Sequence, residues 1–264
     1  MKINKKILIM SLMLVAGNFI ADNYVYGKEN KITAQKLHNE AISYKGVQYL
    51  LKAKKIYEKI IEDYGDYEKI EAVQKELEDL NLKIIHTSTE TPHAVTYVVQ
   101  NADTLGKIAR KHKTTVDLIK KRNGFRSDLI HIGQKLSIWK GKFNIFVDKS
   151  QNILILKNDN ETIKVYKVST GFGGSTPVGE FTIVNKLLDP VWFHHGVAVP
   201  AGSPDNFLGT RWMGFDKPAF GIHGTHEPEL IGKQVSAGCV RMRNEDVEEL
   251  YGLIPAGTKV VIVD

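Results

Sequence analysis

The sequence predicts a multidomain α+β protein: an N-terminal helical hairpin, a small βααβ module and a C-terminal domain that is mostly β. Three observations carry this expectation. Apolar residues recur at helical spacing across 31–86, a strand–helix–helix–strand pattern fills 96–139, and short alternating runs separated by turn clusters begin at Phe143. At 264 residues there is room for two or three small domains, and 42% apolar with 25% charged residues is an ordinary globular composition. A net charge of +6 and a pI near 9.1 favour anionic partners, with nucleic acid and acidic wall polymers both candidates.

Residues 1–27 have the three-part layout of an export signal. Lys2, Lys5 and Lys6 precede an apolar run from Ile7 to Ile20, and Val25-Tyr26-Gly27 supplies a cleavage site before Lys28. The run is shorter than the ~20 apolar residues a transmembrane helix needs, so an uncleaved anchor is the second reading. The expected location is therefore the periplasm or cell wall. The chain has one cysteine, Cys239, which excludes an intrachain disulfide. That thiol is either a small buried apolar group or a reactive one.

Across 31–86 the apolar positions Tyr49, Leu50, Ala53, Ile56, Tyr57, Ile60 and Ile61 define one helix. Asp63-Tyr64-Gly65-Asp66 ends it, and Ile70, Val73, Leu77 and Leu80 define a second. This hairpin resembles a single tetratricopeptide-like unit and reads as a spacer or a partner-docking module. Thr87 to Thr96, with Pro92, is a linker.

The unit at 96–139 opens with a strand around Tyr97-Val98-Val99, and Asp103 or Thr104 can cap the helix carrying Leu105, Ile108 and Ala109. A second helix from Thr115 ends at Asn123-Gly124, and Leu136-Ser137-Ile138 closes the unit as a strand. The stretch YVVQNADTLGKIARKHKTTVDLIKKRNGFRSDLIHIGQKLSI resembles a LysM module, which implies binding to the glycan of peptidoglycan or chitin. Gly106 departs from that pattern, where family members often carry a larger residue. The basic residues of 107–122 read as a solvated helix face, and export argues against a nucleic-acid partner.

From 143 to 264 the pattern is strands: Phe143–Val147, Ile153–Leu156, Thr162–Ser169 and Phe181–Val184. A long insertion is expected over 185–220, and a late helix over Asn244–Gly252. The glycine-rich GFGGSTPVGEF has no following helix and no phosphate-loop spacing, so it is not a nucleotide site.

Reactive groups lie in two stretches, GIHGT at 221–225 and SAGCVRM at 236–242. A thiol attacks as thiolate, and an imidazole such as His223 can take its proton. Gly224, Ser236 and Gly238 permit close backbone approach, which suits N–H donors aimed at an oxyanion. If that segment is extended, Arg241 shares a face with Cys239 and can hold a substrate carboxylate. By spacing alone a structural role for Cys239 and His223 is equally open. Zinc at His223, His226 and Cys239, or at His194 and His195, is disfavoured: adjacent residues of a strand face opposite sides, and the glycines give no rigid helix. His194 and His195 are placed on a mobile lid or substrate wall, while Trp192 and Trp212 are core or cleft aromatics.

The two stretches, together with STGFGGSTPVGEF and LGTRWMGF, are similar to the L,D-transpeptidase (YkuD-type) catalytic domain. The resemblance implies Cys239 as nucleophile, His223 as base and the Gly224 carbonyl as the group that orients the imidazole. It further implies Gly238 and Cys239 N–H groups at the oxyanion, with Ser236 beside them, and Arg241 on substrate. Ala237 departs from the pattern, since many members have a basic residue, often histidine, there. The implied partner is peptidoglycan and no cofactor or metal is expected. The implied reaction is 3→3 crosslinking through a thioester; an L,D-carboxypeptidase, a non-catalytic peptidoglycan-binding protein and a zinc-dependent hydrolase are the alternatives.

Overall fold

The computed structural model describes residues 28–44, 49–194 and 196–264. The expected export signal and His195 lie outside them. No helix among the described residues is long and apolar enough to cross a membrane. The chain divides into two compact units at Thr89/Glu90.

In the first unit helical periodicity produces three helices, α1 (Lys28–Ser43), α2 (Leu50–Asp63) and α3 (Ile70–His86). The expected hairpin is α2 and α3, and α1 is an addition to it. The inward positions of α1 include Ala34, His38 and Ala41, small or polar side chains that give a weak apolar period. Leu50, Ala53, Tyr57 and Ile60 of α2 pack between the other two helices, against Val73, Leu80 and Ile84 of α3. His38 is buried and tied at Nε2 to Glu76 (2.8 Å) and at Nδ1 to the Tyr67 hydroxyl (3.3 Å).

The second unit begins with the expected βααβ module. Strand β1 (Ala94–Val98) pairs antiparallel with β2 (Lys135–Trp139), bringing Tyr97 opposite Leu136. Helices α4 (Leu105–His112) and α5 (Val116–Asn123) lie between them in sequence. Thr104 and Thr115 are the N-caps, accepting from the Lys107 and Leu118 N–H groups, and Gly124 ends α5 at φ +67°. Asp103 instead holds the Tyr97 hydroxyl and the Gln100 N–H, both at 2.8 Å. The Asn123 carboxamide bonds Ile119 O within α5 and both the N–H and carbonyl of Ser137, which fastens α5 to β2.

The remaining strands are β3 (Phe143–Asp148), β4 (Ile153–Asn158), β5 (Glu161–Lys167), β6 (Thr170–Gly171), β7 (Gly179–Leu188), β8 (Trp192–His194), β9 (Val197–Val199), β10 (Arg211–Phe215), β11 (Gly221–His223), β12 (Gln234–Ser236), β13 (Val240–Arg241) and β14 (Lys259–Val263). Eight of them form one sheet in the order β13-β11-β10-β7-β14-β3-β4-β5. Its core is the alternating set Ile145, Val147, Leu154, Leu156, Ile183, Val260 and Ile262. Helix α6 (Asn244–Leu253) packs against β10 and β11, and on α5 of the small module. The Thr115 hydroxyl, beyond capping α5, donates to the Gly252 carbonyl.

The expected insertion over 185–220 is shorter than its sequence span. Strand β7 runs on to Leu188 and β10 returns to pair with it, Arg211 opposite Leu188. Only 189–210 leaves the sheet, carrying the β8–β9 hairpin. Proline and glycine on either side obscure the short RWMGF strand, whose burial depends in part on β7, beyond the 189–210 segment.

Candidate active site

Strand β11 lies between β10 and β13, and this places His223. On one side His223 is opposite Trp212 of antiparallel β10; on the other it is opposite Arg241 of parallel β13. The Trp212 and His223 rings stack at 5.8 Å and 25°. Cys239 immediately precedes β13, so parallel pairing of β11 and β13 carries both reactive groups to one cleft. That cleft, about 470 Å³, is lined by His223, Cys239, Arg241 and Ala237, with an apolar wall including Trp192, Phe207 and Trp212. Both tryptophans are therefore cleft aromatics.

His223 is buried, and its Nδ1 is 2.7 Å from the Gly224 carbonyl oxygen. A carbonyl can only accept, so Nδ1 carries the hydrogen and Nε2 keeps its lone pair in the neutral ring. Burial pushes the imidazole pKa down to about 4; the Gly224 carbonyl pulls it up, and the Arg241 charge reinforces the fall. Burial likewise pushes the Cys239 thiol up, opposed by the Gly221 backbone and the Arg241 charge. Near neutral pH both groups rest uncharged. The thiol donates weakly to the Ala219 carbonyl at 3.5 Å.

The Cys239 loop is shaped by Ser236 and Gly238. Ser236 is buried, donates its hydroxyl to the Cys239 carbonyl (2.6 Å) and accepts from the Gly238 N–H (3.1 Å). The Ser236 hydroxyl thus braces the loop at two backbone groups, the Cys239 carbonyl and the Gly238 N–H. Gly238 itself is required: its φ is +136°, and a Cβ would come within 2.6 Å of the Phe220 ring.

Arg241 bonds the Glu227 carboxylate through Nη1 at 3.3 Å, packs its guanidinium 5.8 Å from the Phe207 ring, and leaves its buried Nε without a partner. A cation so held, on the wall beside Cys239, can receive a carboxylate. No group of three or more His, Cys, Asp or Glu side chains among the described residues is arranged to hold a metal ion.

Residues 142–262 match the family model of the YkuD L,D-transpeptidase catalytic domain, and residues 97–139 match that of the LysM domain. A Bacillus subtilis protein that carries an L,D-transpeptidase name, YkuD, is 33% identical over 175 residues, spanning 64% of this chain and 98% of that relative. The chain belongs to the L,D-transpeptidase family. YqjB of the same organism, similarly named, is 43% identical over 126 residues, 46% of this chain and 70% of its own. YkuD of Bacillus licheniformis is 34% identical over 63% of this chain and 97% of its own. The family acts in peptidoglycan crosslinking, and a LysM domain suits the same polymer.

Three residues that shape this L,D-transpeptidase cleft have no signal in the sequence. Asn206 is fully buried, and its amide donates to the carbonyls of Pro190 (2.8 Å), Pro200 (3.1 Å) and Val199 (3.3 Å), closing the segment that carries β8 and β9. The Asn244 Oδ1 accepts from Thr210 and Thr225 N–H groups, each at 3.2 Å, and so fastens the segments beside His223 to the start of α6. Ala219 sits at φ +67°, an unfavourable backbone for a residue with a Cβ, and presents its carbonyl to the thiol.

Proposed function

We propose that this protein is a cysteine acyltransferase that forms 3→3 peptidoglycan crosslinks through a thioester on Cys239. The observation that carries the reading is the 2.7 Å bond from His223 Nδ1 to the Gly224 carbonyl, which leaves Nε2 as a base in the cleft that holds Cys239.

In the first half-reaction His223 Nε2 takes the thiol proton as Sγ attacks the carbonyl joining the third, diamino residue of a tetrapeptide stem to its terminal D-Ala. The tetrahedral oxyanion is received by the Cys239 N–H, since the Gly238 N–H is engaged by Ser236. Collapse breaks the amide C–N bond, the imidazolium returns its proton to the departing D-Ala amine, and a thioester remains. In the second half-reaction the side-chain amine of another stem attacks the thioester, giving its proton to Nε2. The new amide forms, the C–S bond breaks, and the thiol is reprotonated.

Because both groups rest uncharged, His223 acts here as a general base during attack rather than as half of a stored ion pair. Arg241 takes the terminal carboxylate of the donor stem. The LysM module holds the glycan strand, and an export signal delivers the chain to the wall.

The test is turnover of a tetrapeptide-stem muropeptide by the full chain and by Cys239→Ala. The wild type is expected to release D-Ala and yield crosslinked dimer, while the variant gives neither and still sediments with peptidoglycan. D-Ala release without dimer assigns an L,D-carboxypeptidase, and turnover by Cys239→Ala removes the thioester route.

A further inference from the structure

A second cavity, of about 800 Å³, lies between the LysM module and the transpeptidase domain. It shares no lining residue with the Cys239 cleft. Its wall carries Arg110 and Lys113 from the LysM module, Lys140 and Lys142 from the connection, and Lys186 and Lys259 from the transpeptidase domain. No acidic side chain lines it; Asp117, whose charge reaches Lys186, is not part of the wall.

These cations divide into two kinds. Lys186 is half-buried and donates to the Tyr251 (2.6 Å) and Ile254 (2.7 Å) carbonyls, so it fixes the wall. Arg110, Lys113, Lys140, Lys142 and Lys259 are exposed. Like charges gathered from three parts of the chain repel one another, and an anion between them removes that repulsion.

We propose that this groove is a second, non-catalytic binding site for a phosphodiester-linked anionic polymer of the cell wall, lying between the two modules. The chemistry recognised is the phosphate oxyanion, met by the exposed arginine and lysine charges. A polymer bearing one charge per repeat matches cations distributed along a groove better than a single compact anion does. A recess between two modules admits an extended chain and excludes the flat face of a bilayer. Occupied in this way, the groove fastens the enzyme to the wall independently of the Cys239 chemistry.

The experiment is calorimetric titration of the full chain, at low salt, with a short glycerol-phosphate oligomer, with inorganic phosphate at equal phosphate concentration, and with phosphatidylglycerol vesicles. The oligomer is expected to bind with an affinity that falls as salt rises, and Lys140→Glu with Lys142→Glu is expected to weaken it by about tenfold or more. The double variant keeps wild-type turnover of muropeptide. Undiminished oligomer binding by the double variant overturns the proposal. Inorganic phosphate binding as tightly as the oligomer overturns the polymer assignment, as do vesicles that bind in preference to the oligomer and are lost with the same lysines.

Discussion

His223 Nδ1 and the carbonyl oxygen of Gly224, its neighbour in the chain, are 2.7 Å apart. The bond fixes which nitrogen of a buried ring holds the hydrogen, and the ring's surroundings hold its pKa down to about 4. Between that value and the ordinary 6.5 the unfolded state binds more protons than the folded one. The stability contributed by keeping His223 neutral is therefore complete above 6.5 and is lost as pH falls toward 4, by about 3 kcal/mol in all. Chemical denaturation from pH 7 to 4 is expected to give a steeper loss for the wild type than for His223→Gln. Equal slopes would contradict the buried neutral ring. The same shift moves the acid limb of kcat/KM well below 6.5, and a limb near 6.5 would require a solvated imidazole.

Ser236→Ala removes the hydroxyl that holds the Cys239 carbonyl and the Gly238 N–H. The expected cost is about 1–3 kcal/mol, from backbone groups left without their partner. Activity is expected to fall through kcat, since the loop that aims the thiol loosens. A raised KM at unchanged stability would instead make Ser236 a substrate contact.

Gly238→Ala introduces a Cβ 2.6 Å from the Phe220 ring at a φ of +136°. The loop must shift, and the expected outcome is at least about 1–2 kcal/mol of destabilisation with a drop in kcat of an order of magnitude or more. Thermal melting read beside turnover checks it, and a variant with wild-type values of both would refute the loop geometry.

Much of the fold is legible in the sequence, and the reason is locality. Thr104, Thr115 and Gly124 cap helices through bonds to their own neighbours, so the LysM pattern can be read residue by residue. Helix α1 is harder because its buried face includes Ala34, His38 and Ala41 rather than large apolar residues. Strand β10 is hidden because much of its burial comes from β7, from which the 189–210 segment separates it in sequence. In the site, His223 and Cys239 are legible through the motifs that carry them. The engagement of the Gly238 N–H by Ser236 is not, because both arrangements suit the same letters.

Asn244 belongs with those hidden features. Asn244→Ala releases the N–H groups of Thr210 and Thr225 and is expected to cost about 2 kcal/mol, at about 1 kcal/mol for each hydrogen bond. Asn244→Asp keeps an acceptor in place and is expected to restore most of the loss. Melting temperatures and turnover of the pair decide it, and an alanine variant as stable as the wild type would remove Asn244 from the site's framework.

Arg241→Gln tests carboxylate recognition. The guanidinium beside Cys239 is expected to act mainly on donor binding, raising KM about tenfold or more with a smaller change in kcat. Loss confined to kcat would assign Arg241 to thiolate stabilisation instead, consistent with its charge favouring the ionised sulfur.

Whether Cys239 carries the acyl group is read directly from the intact mass of the protein during turnover. The full chain and Cys239→Ala are each mixed with tetrapeptide-stem muropeptide, quenched with acid at short times and weighed. The wild type alone is expected to gain a mass equal to the muropeptide less D-Ala, located at Cys239 by peptide mapping. Wild-type turnover that proceeds with no such adduct, or the same adduct on the alanine variant, would contradict it.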